Sequence, residues 1–128
     1  MPKIVQFKID YPPTKAGKSY WNKKFGLNAY YSGKPWQARK RDADYWHTLV
    51  RSELTKQKIP MSKYNVPVSI KFWFNDNLDI DNDSTYAKLI IDSLKGLLIE
   101  DDNKKYVRRI ELNCHDEDCI LVAIERMK

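Results

Sequence analysis

Alternation of apolar and polar residues predicts most of the strands in this chain. It is cleanest from Val66 to Phe74, where nearly every second residue is a large apolar one, and it recurs from Lys3 to Ile9. Side chains two residues apart lie on the same side of a strand, so each segment has one side suited to a core. Two later strands, Tyr106 to Cys114 and Cys119 to Glu125, are separated by a four-residue acidic turn and predict an antiparallel hairpin.

Apolar residues spaced three and four apart predict two helices. The first runs from Pro35 to about Gln57 and ends before Ile59-Pro60. The second runs from about Ser84 to Lys95, is capped by Asn82, Asp83 or Ser84, and ends at Gly96. The fold class that follows is α/β, a single mixed four-stranded sheet with two helices in the order β-α-β-α-β-β, and residues 1-128 form a single domain.

Composition narrows the setting of the protein. The chain has 128 residues, an ordinary share of apolar residues, and no apolar run long enough to cross a bilayer. We therefore expect a cytoplasmic protein with no membrane partner. Cys114 and Cys119 flank the predicted turn, and a reduced structural pair is favoured over a cross-strand disulfide or a metal site.

A basic segment extends from Tyr11 to Arg41, and no acidic residue lies between Asp10 and Asp42. Aromatic residues are interleaved with its cations, a composition that is typical of nucleic-acid binding; alternatively, the segment is a solvated loop whose rings fill the core. The predicted DNA-binding residues are Lys15, Lys18, Lys23, Lys24, Lys34, Arg39, Lys40 and Arg41. The interleaved rings are Tyr11, Tyr20, Trp21, Tyr30, Tyr31 and Trp36.

An acidic stretch from Asn75 to Asp102 carries eight carboxylates against only Lys88 and Lys95. Crowded like charges oppose folding unless a cation compensates them, and a divalent ion with oxygen ligands is the simplest compensator. A solvated acidic loop is the alternative. The carboxylates are Asp76, Asp79, Asp81, Asp83, Asp92, Glu100, Asp101 and Asp102.

The spacing within this stretch favours a site. In an extended segment Asp79 and Asp81 would present both carboxylates on one side, while Ile80 turns towards the core. The apolar run after Gly96 can bring Asp101 and Asp102 back beside them. A lysine on the helix between, Lys88, would complete a constellation suited to a Mg²⁺-dependent nuclease.

The motif Asp79-x-Asp81-Asn82, followed by Lys88, Asp92, Leu94, Gly96 and Asp101-Asp102, resembles the signature of the RusA family of Holliday junction resolvases. These are small dimeric endonucleases common in prophages. The close match covers about 25 residues. One departure concerns the lysine, which lies seven residues after Asp81 where the family's best-known motif has four, a shift of about 0.8 of a helical turn.

The resemblance implies a RusA-like fold, a homodimer, branched DNA as substrate, Mg²⁺ as cofactor with Mn²⁺ able to substitute, and no small-molecule cofactor. It implies that Asp79, Asp81 and Asp102 bind the metal and that Lys88 assists catalysis. Asp101 is the alternative to Asp102, and Asn82 and Asp92 support the site. The predicted function is a structure-selective DNA endonuclease that resolves four-way junctions by paired symmetric nicks in recombination and repair. The alternative is a non-catalytic nucleic-acid-binding module with a solvated acidic loop.

Overall fold

A computed structural model describes residues 3–77 and 80–127, with the backbone alone at Tyr31, Ile80 and Asp81. Asp79 lies outside the described residues. The strands are β1 (Ile4–Asp10), β2 (Val68–Asn75), β3 (Val107–His115) and β4 (Cys119–Arg126). The helices are α1 (Lys15–Phe25), α2 (Leu27–Tyr31), α3 (Trp36–Lys56) and α4 (Ile80–Leu94). The α/β class and the long helix after Pro35 are confirmed.

The four strands form one mixed sheet in the order β1-β4-β2-β3. β4 pairs antiparallel with both β1 and β2, and β2 pairs in parallel with β3. The mixed four-stranded sheet is therefore as predicted, but the hairpin is wrong, because β2 lies between β3 and β4. Short connections favour neighbouring strands, yet β2 and β4 have the most completely buried residues and so take the two inner positions.

The core forms on the side of the sheet that the alternation of β2 predicts. Val68, Ile70, Phe72 and Phe74 are fully buried. The Phe74 ring stacks near Tyr86 of α4, with 6.5 Å between their centroids, and the Tyr86 ring lies 5.7 Å from that of Trp46 in α3. Each large buried side chain of this kind stabilises the fold by roughly 1.5–3 kcal/mol relative to exposure.

The basic segment contains helices α1 and α2, which the sequence did not predict, so the expectation of two helices is wrong. Thr14 caps α1 by accepting a hydrogen bond from the Gly17 amide at 3.0 Å. Trp21 and Phe25, four residues apart, bury the inner side of this helix. The cations between them conceal the apolar spacing in the sequence, so the periodic signal of the helix is weak.

Helix α4 begins at Ile80, four residues before the predicted start. Asp81 is therefore helical, and the prediction that Asp79-Ile80-Asp81 is extended is wrong at Asp81. Carboxylates and small polar residues are favourable in the first turn of a helix, which explains the earlier start. The end is as predicted, because Gly96 follows with a φ of 79° that favours glycine.

Asn82 connects two helices instead of capping its own. Its side-chain oxygen accepts a hydrogen bond from the Leu27 amide at 3.0 Å and so caps α2. Gly26 fits this approach closely, since a Cβ there would lie 2.6 Å from the Asn82 oxygen. The residue predicted to support the site thus holds α2 against the first turn of α4.

Replacing Asn82 by Ala is expected to lower the free energy of unfolding by about 1 kcal/mol, since it leaves the partly buried Leu27 amide without its acceptor. Urea denaturation measures the loss. Asn28→Ala, at an exposed position of α2, is the control and should change stability by a few tenths of this. Equal losses in the two variants would contradict the capping role.

Cys114 and Cys119 are both free thiols. They lie on the strands at either side of β2, with Cys114 opposite Phe74 and Cys119 opposite Asp10. The cross-strand disulfide that the sequence left open is not formed. No helix within residues 3–77 and 80–127 is long and apolar enough to cross a membrane.

Candidate metal and nucleic-acid site

Lys95, at the C-terminal end of α4, lies at the centre of an acidic cluster. Its ammonium group is 3.3 Å from an Asp102 oxygen, 3.6 Å from Asp92 and 3.9 Å from Asp101. The reversal at Gly96, whose amide donates to the Ile99 carbonyl at 2.8 Å, returns the chain beside the helix end. The sequence analysis counted Lys95 as one of two cations in the acidic stretch but assigned it no role; its position directly before the capping glycine was the available signal.

The cluster favours the ionised form of Asp102. Partial burial opposes ionisation, but hydrogen bonding with Asp101 and Lys95, together with the charge of Lys95, lowers the pKa of Asp102 below its ordinary value. Burial works against the charge of Lys95 too, yet the neighbouring carboxylates raise the pKa of its ammonium group. Asp102 therefore has an anionic carboxylate at neutral pH, and carboxylate oxygen is the donor type that Mg²⁺ prefers.

A cavity of about 260 Å³ runs along α4 beside this cluster. Ser84, Lys88 and Asp92, which follow one another at intervals of four residues, line it together with Asp102. Lys88 lies 3.5 Å from an Asp92 oxygen and its side chain is 74% exposed. The lysine and one acid of the predicted site therefore border the same space, although they come from different elements.

Asp81, another predicted ligand, is at the opposite end of the helix, and Asp79 lies outside the described residues. Asp81 precedes Asp92 by 11 residues, which is about 16 Å along the axis. Among the residues whose placement is described, no three His, Cys, Asp or Glu side chains are grouped closely enough to hold one ion. The cavity extends along α4 towards Asp81. Ser84, which lines it, is three residues from Asp81, or about 5 Å along the helix axis.

The predicted DNA-binding cations differ in exposure. Lys18 contacts Asp118 at 2.7 Å and Lys40 contacts Asp44 at 3.5 Å, and exposed pairs of this kind contribute about 0–1 kcal/mol and can exchange partners. Lys24 is half-buried beside the Tyr20 ring. The exposed members are Lys15, Lys23, Arg39, Lys40 and Arg41.

Lys34 forms a largely buried ion pair within the fold. Its ammonium group pairs with Asp42, and the two side chains are 14% and 1% exposed. Tyr30 donates its hydroxyl hydrogen to the same carboxylate at 3.0 Å, and burial together with this bond raises the pKa of Tyr30. Lys34 is thus neutralised by Asp42 in the described structure, unlike the exposed cations.

Lys34→Met is expected to lower the free energy of unfolding by about 3 kcal/mol, because it leaves Asp42 buried without its cation. It should leave the dependence of DNA affinity on salt almost unchanged. Lys23→Met should have the opposite profile, with little loss of stability and a log–log salt slope reduced by about one. Denaturation and binding titrations at several salt concentrations measure both quantities, and a flatter slope for Lys34→Met would contradict the structural role.

The aromatic residues of the basic segment divide between core and surface. Tyr11 and Trp21 are buried, in line with the core-filling alternative. Tyr20 and Trp36 are 58% and 68% exposed, a high value for rings of this size. These two rings are accessible to a binding partner.

No protein-family model matches this chain, and no curated protein sequence matches it either. The resemblance to the RusA family consequently rests on the motif between Asp79 and Asp102, and it stays a prediction. The structure adds two observations to this motif: the ion-pair cluster around Lys95 and the cavity that Lys88 and Asp102 both line.

Proposed function

We propose that this chain is a Mg²⁺-dependent endonuclease that resolves four-way DNA junctions, as its resemblance to the RusA family implies. One observation carries the proposal: Lys88 and Asp102 line a common cavity along α4. In such an enzyme the metal-binding carboxylate and the lysine that stabilises phosphate charge must both border the site where the phosphate binds.

In this proposal the ligands of Mg²⁺ or Mn²⁺ are Asp79, Asp81 and Asp102, as the family resemblance implies, and Asp101 is the alternative to Asp102. Asp81 and Asp102 lie near opposite ends of α4 in the described structure, so binding of one ion by both requires a closer approach than this conformation has. The bound metal would polarise the scissile phosphate and lower the pKa of an attacking water. Lys88 stabilises charge on the phosphate, since its exposed ammonium group can reach a bound strand. Asp92 orients Lys88, and Lys95 keeps Asp102 ionised.

Binding uses the exposed cations and the rings of Tyr20 and Trp36. Resolution of a junction requires cuts at two symmetry-related phosphates, and each chain carries one acidic cluster. A two-fold symmetric homodimer supplies two sites of the same geometry. Sedimentation equilibrium with and without junction DNA measures this state; a monomer both free and bound would contradict it.

The cluster around Lys95 also supports a second function, a nucleic-acid-binding module without catalysis. Lys95 already contacts Asp92, Asp101 and Asp102, so these carboxylates have a compensating charge without a metal ion. In that case the acidic stretch is structural and only the basic surface acts on DNA.

Cleavage of a synthetic four-way junction, compared with a linear duplex of the same sequence, separates the two functions. The endonuclease is expected to nick the junction near its centre with Mg²⁺, to leave the duplex largely intact, and to cut neither substrate in EDTA. Binding of the junction without any Mg²⁺-dependent nicking would establish the module instead.

A further inference from the structure

A second groove lies on the opposite side of Lys88, between α4 and the corner formed by α2 and α3. Its volume is about 470 Å³, within the range of roughly 300–1,000 Å³ that is typical of small-ligand sites. Leu27, Ala43 and Leu89 provide apolar surface from three helices. Arg39 and Lys88 provide cations, from α3 and α4 respectively.

Arg39 is held in place at this groove. Its Nε donates to the Lys34 carbonyl at 3.0 Å and one terminal nitrogen donates to the Tyr30 carbonyl at 3.4 Å. The guanidinium carbon lies 5.4 Å from the centroid of the Tyr30 ring. A guanidinium has five donors, so three remain for a ligand, and a side chain that is already ordered loses little entropy on binding.

The buried pair of Lys34 and Asp42 strengthens this arrangement. Asp42 accepts the Tyr30 hydroxyl at 3.0 Å, and Lys34 donates to the Lys24 carbonyl at 2.7 Å. The backbone carbonyls that hold Arg39 therefore belong to a corner that is fixed by hydrogen bonds. An ordered cation at the rim of a groove is the feature expected of a phosphate contact.

The charges of the groove favour an anion. Asp92 is the one acid among the described residues that line it, and both Lys88 and Lys95 contact this carboxylate, at 3.5 Å and 3.6 Å. Two cations and one acid line the groove, so its lining has a net charge of +1 beside an apolar floor. A nucleotide has the matching chemistry, with an anionic phosphate and a sugar and base that can cover apolar surface.

We infer that this groove binds one unpaired nucleotide of a nucleic-acid strand, with its phosphate between Arg39 and Lys88 and its sugar and base against Leu27 and Leu89. The inference rests on the proposed function, since it concerns the strand presented to the candidate site. Ser84, Lys88 and Asp92 line both this groove and the cavity beside Asp102. The bound nucleotide would adjoin the phosphate to be cleaved.

The test fills the groove. Ala43 is exposed on α3, so Ala43→Trp adds bulk to the groove at little cost to the helix, and Thr48→Trp adds the same ring to α3 outside it. The probe is a fluorescein-labelled single-stranded oligonucleotide in EDTA, where no cleavage occurs. Ala43→Trp is expected to weaken binding about tenfold, in line with the loss of stacking for one base, while Thr48→Trp binds as the wild type does.

Arg39→Gln provides the second variant, with Arg51→Gln as a charge-matched control at an exposed position of the same helix. Arg39→Gln should weaken binding several-fold more than Arg51→Gln. If Ala43→Trp does not fold, the comparison of these two variants tests the inference in its place. Affinities equal to those of the controls would overturn the inference.

Junction cleavage by the same proteins separates this inference from the proposed function. A wild type that cleaves, with Ala43→Trp binding normally, would refute the groove alone. A wild type that never cleaves, with Ala43→Trp impaired in oligonucleotide binding, would refute the nuclease and keep the groove.

Discussion

Asp102→Asn is expected to lower the single-turnover rate of junction cleavage by about 10²-fold or more, the loss that accompanies removal of one preorganised electrostatic group. Junction binding should stay intact or become tighter, because one negative charge is removed from a surface that faces phosphate. The structure supports the choice of this acid, since Asp102 lines the cavity that Lys88 also lines. Asp79→Asn and Asp81→Asn should have the same effect if they complete the metal site.

Two controls accompany this measurement. Asp101→Asn should be milder, because it removes a neighbour of the ligand, and Asp116→Asn, at an exposed turn position, should leave the rate unchanged. Cleavage within a few-fold of wild type for Asp79→Asn, Asp81→Asn and Asp102→Asn alike would refute the assignment of the metal site.

Lys88→Ala is expected to slow the chemical step by about 10²-fold with little loss of affinity, since its charge acts mainly on the transition state. Asp92 is the contact that positions this exposed side chain. Single-turnover rates at saturating enzyme separate the chemical step from binding.

Lys104→Ala, in the loop that precedes β3, removes the same charge from an exposed position and should leave the chemical step unchanged. If Lys88→Ala loses only affinity, Lys88 is a phosphate anchor. The additional three residues between Asp81 and Lys88 would then have changed the role that the family resemblance implies.

Patterns that are local in the sequence predicted the fold well. The alternation of Val68, Ile70, Phe72 and Phe74 identified the core side of β2, because burial of one side of a strand imposes a period of two. The spacing of Trp46, Val50 and Leu54 likewise identified α3. Each of these two patterns arises within a single element that buries one side against the core, so it can be found in a short stretch of sequence.

Features that depend on several elements together were predicted less well. The hairpin was wrong because the position of β2 between β3 and β4 is decided by burial of the whole sheet. Helix α1 was not predicted, because the cations around Trp21 and Phe25 weaken its apolar period. In the site, Lys95 joins Asp92 and Asp102 only after the turn at Gly96 has formed, and no spacing rule indicates that contact.

Cleavage of a supercoiled plasmid that extrudes a cruciform tests the central claim most directly, because it reports whether two strands are cut within one encounter. Paired cuts across the junction convert the circle to linear DNA, whereas single nicks give a relaxed circle. With Mg²⁺ the wild-type protein is expected to produce mainly linear DNA with cuts at symmetric positions, and none in EDTA. A plasmid that remains supercoiled in Mg²⁺ while the protein is bound to it, or that gives only relaxed circles, would contradict the proposed resolvase activity.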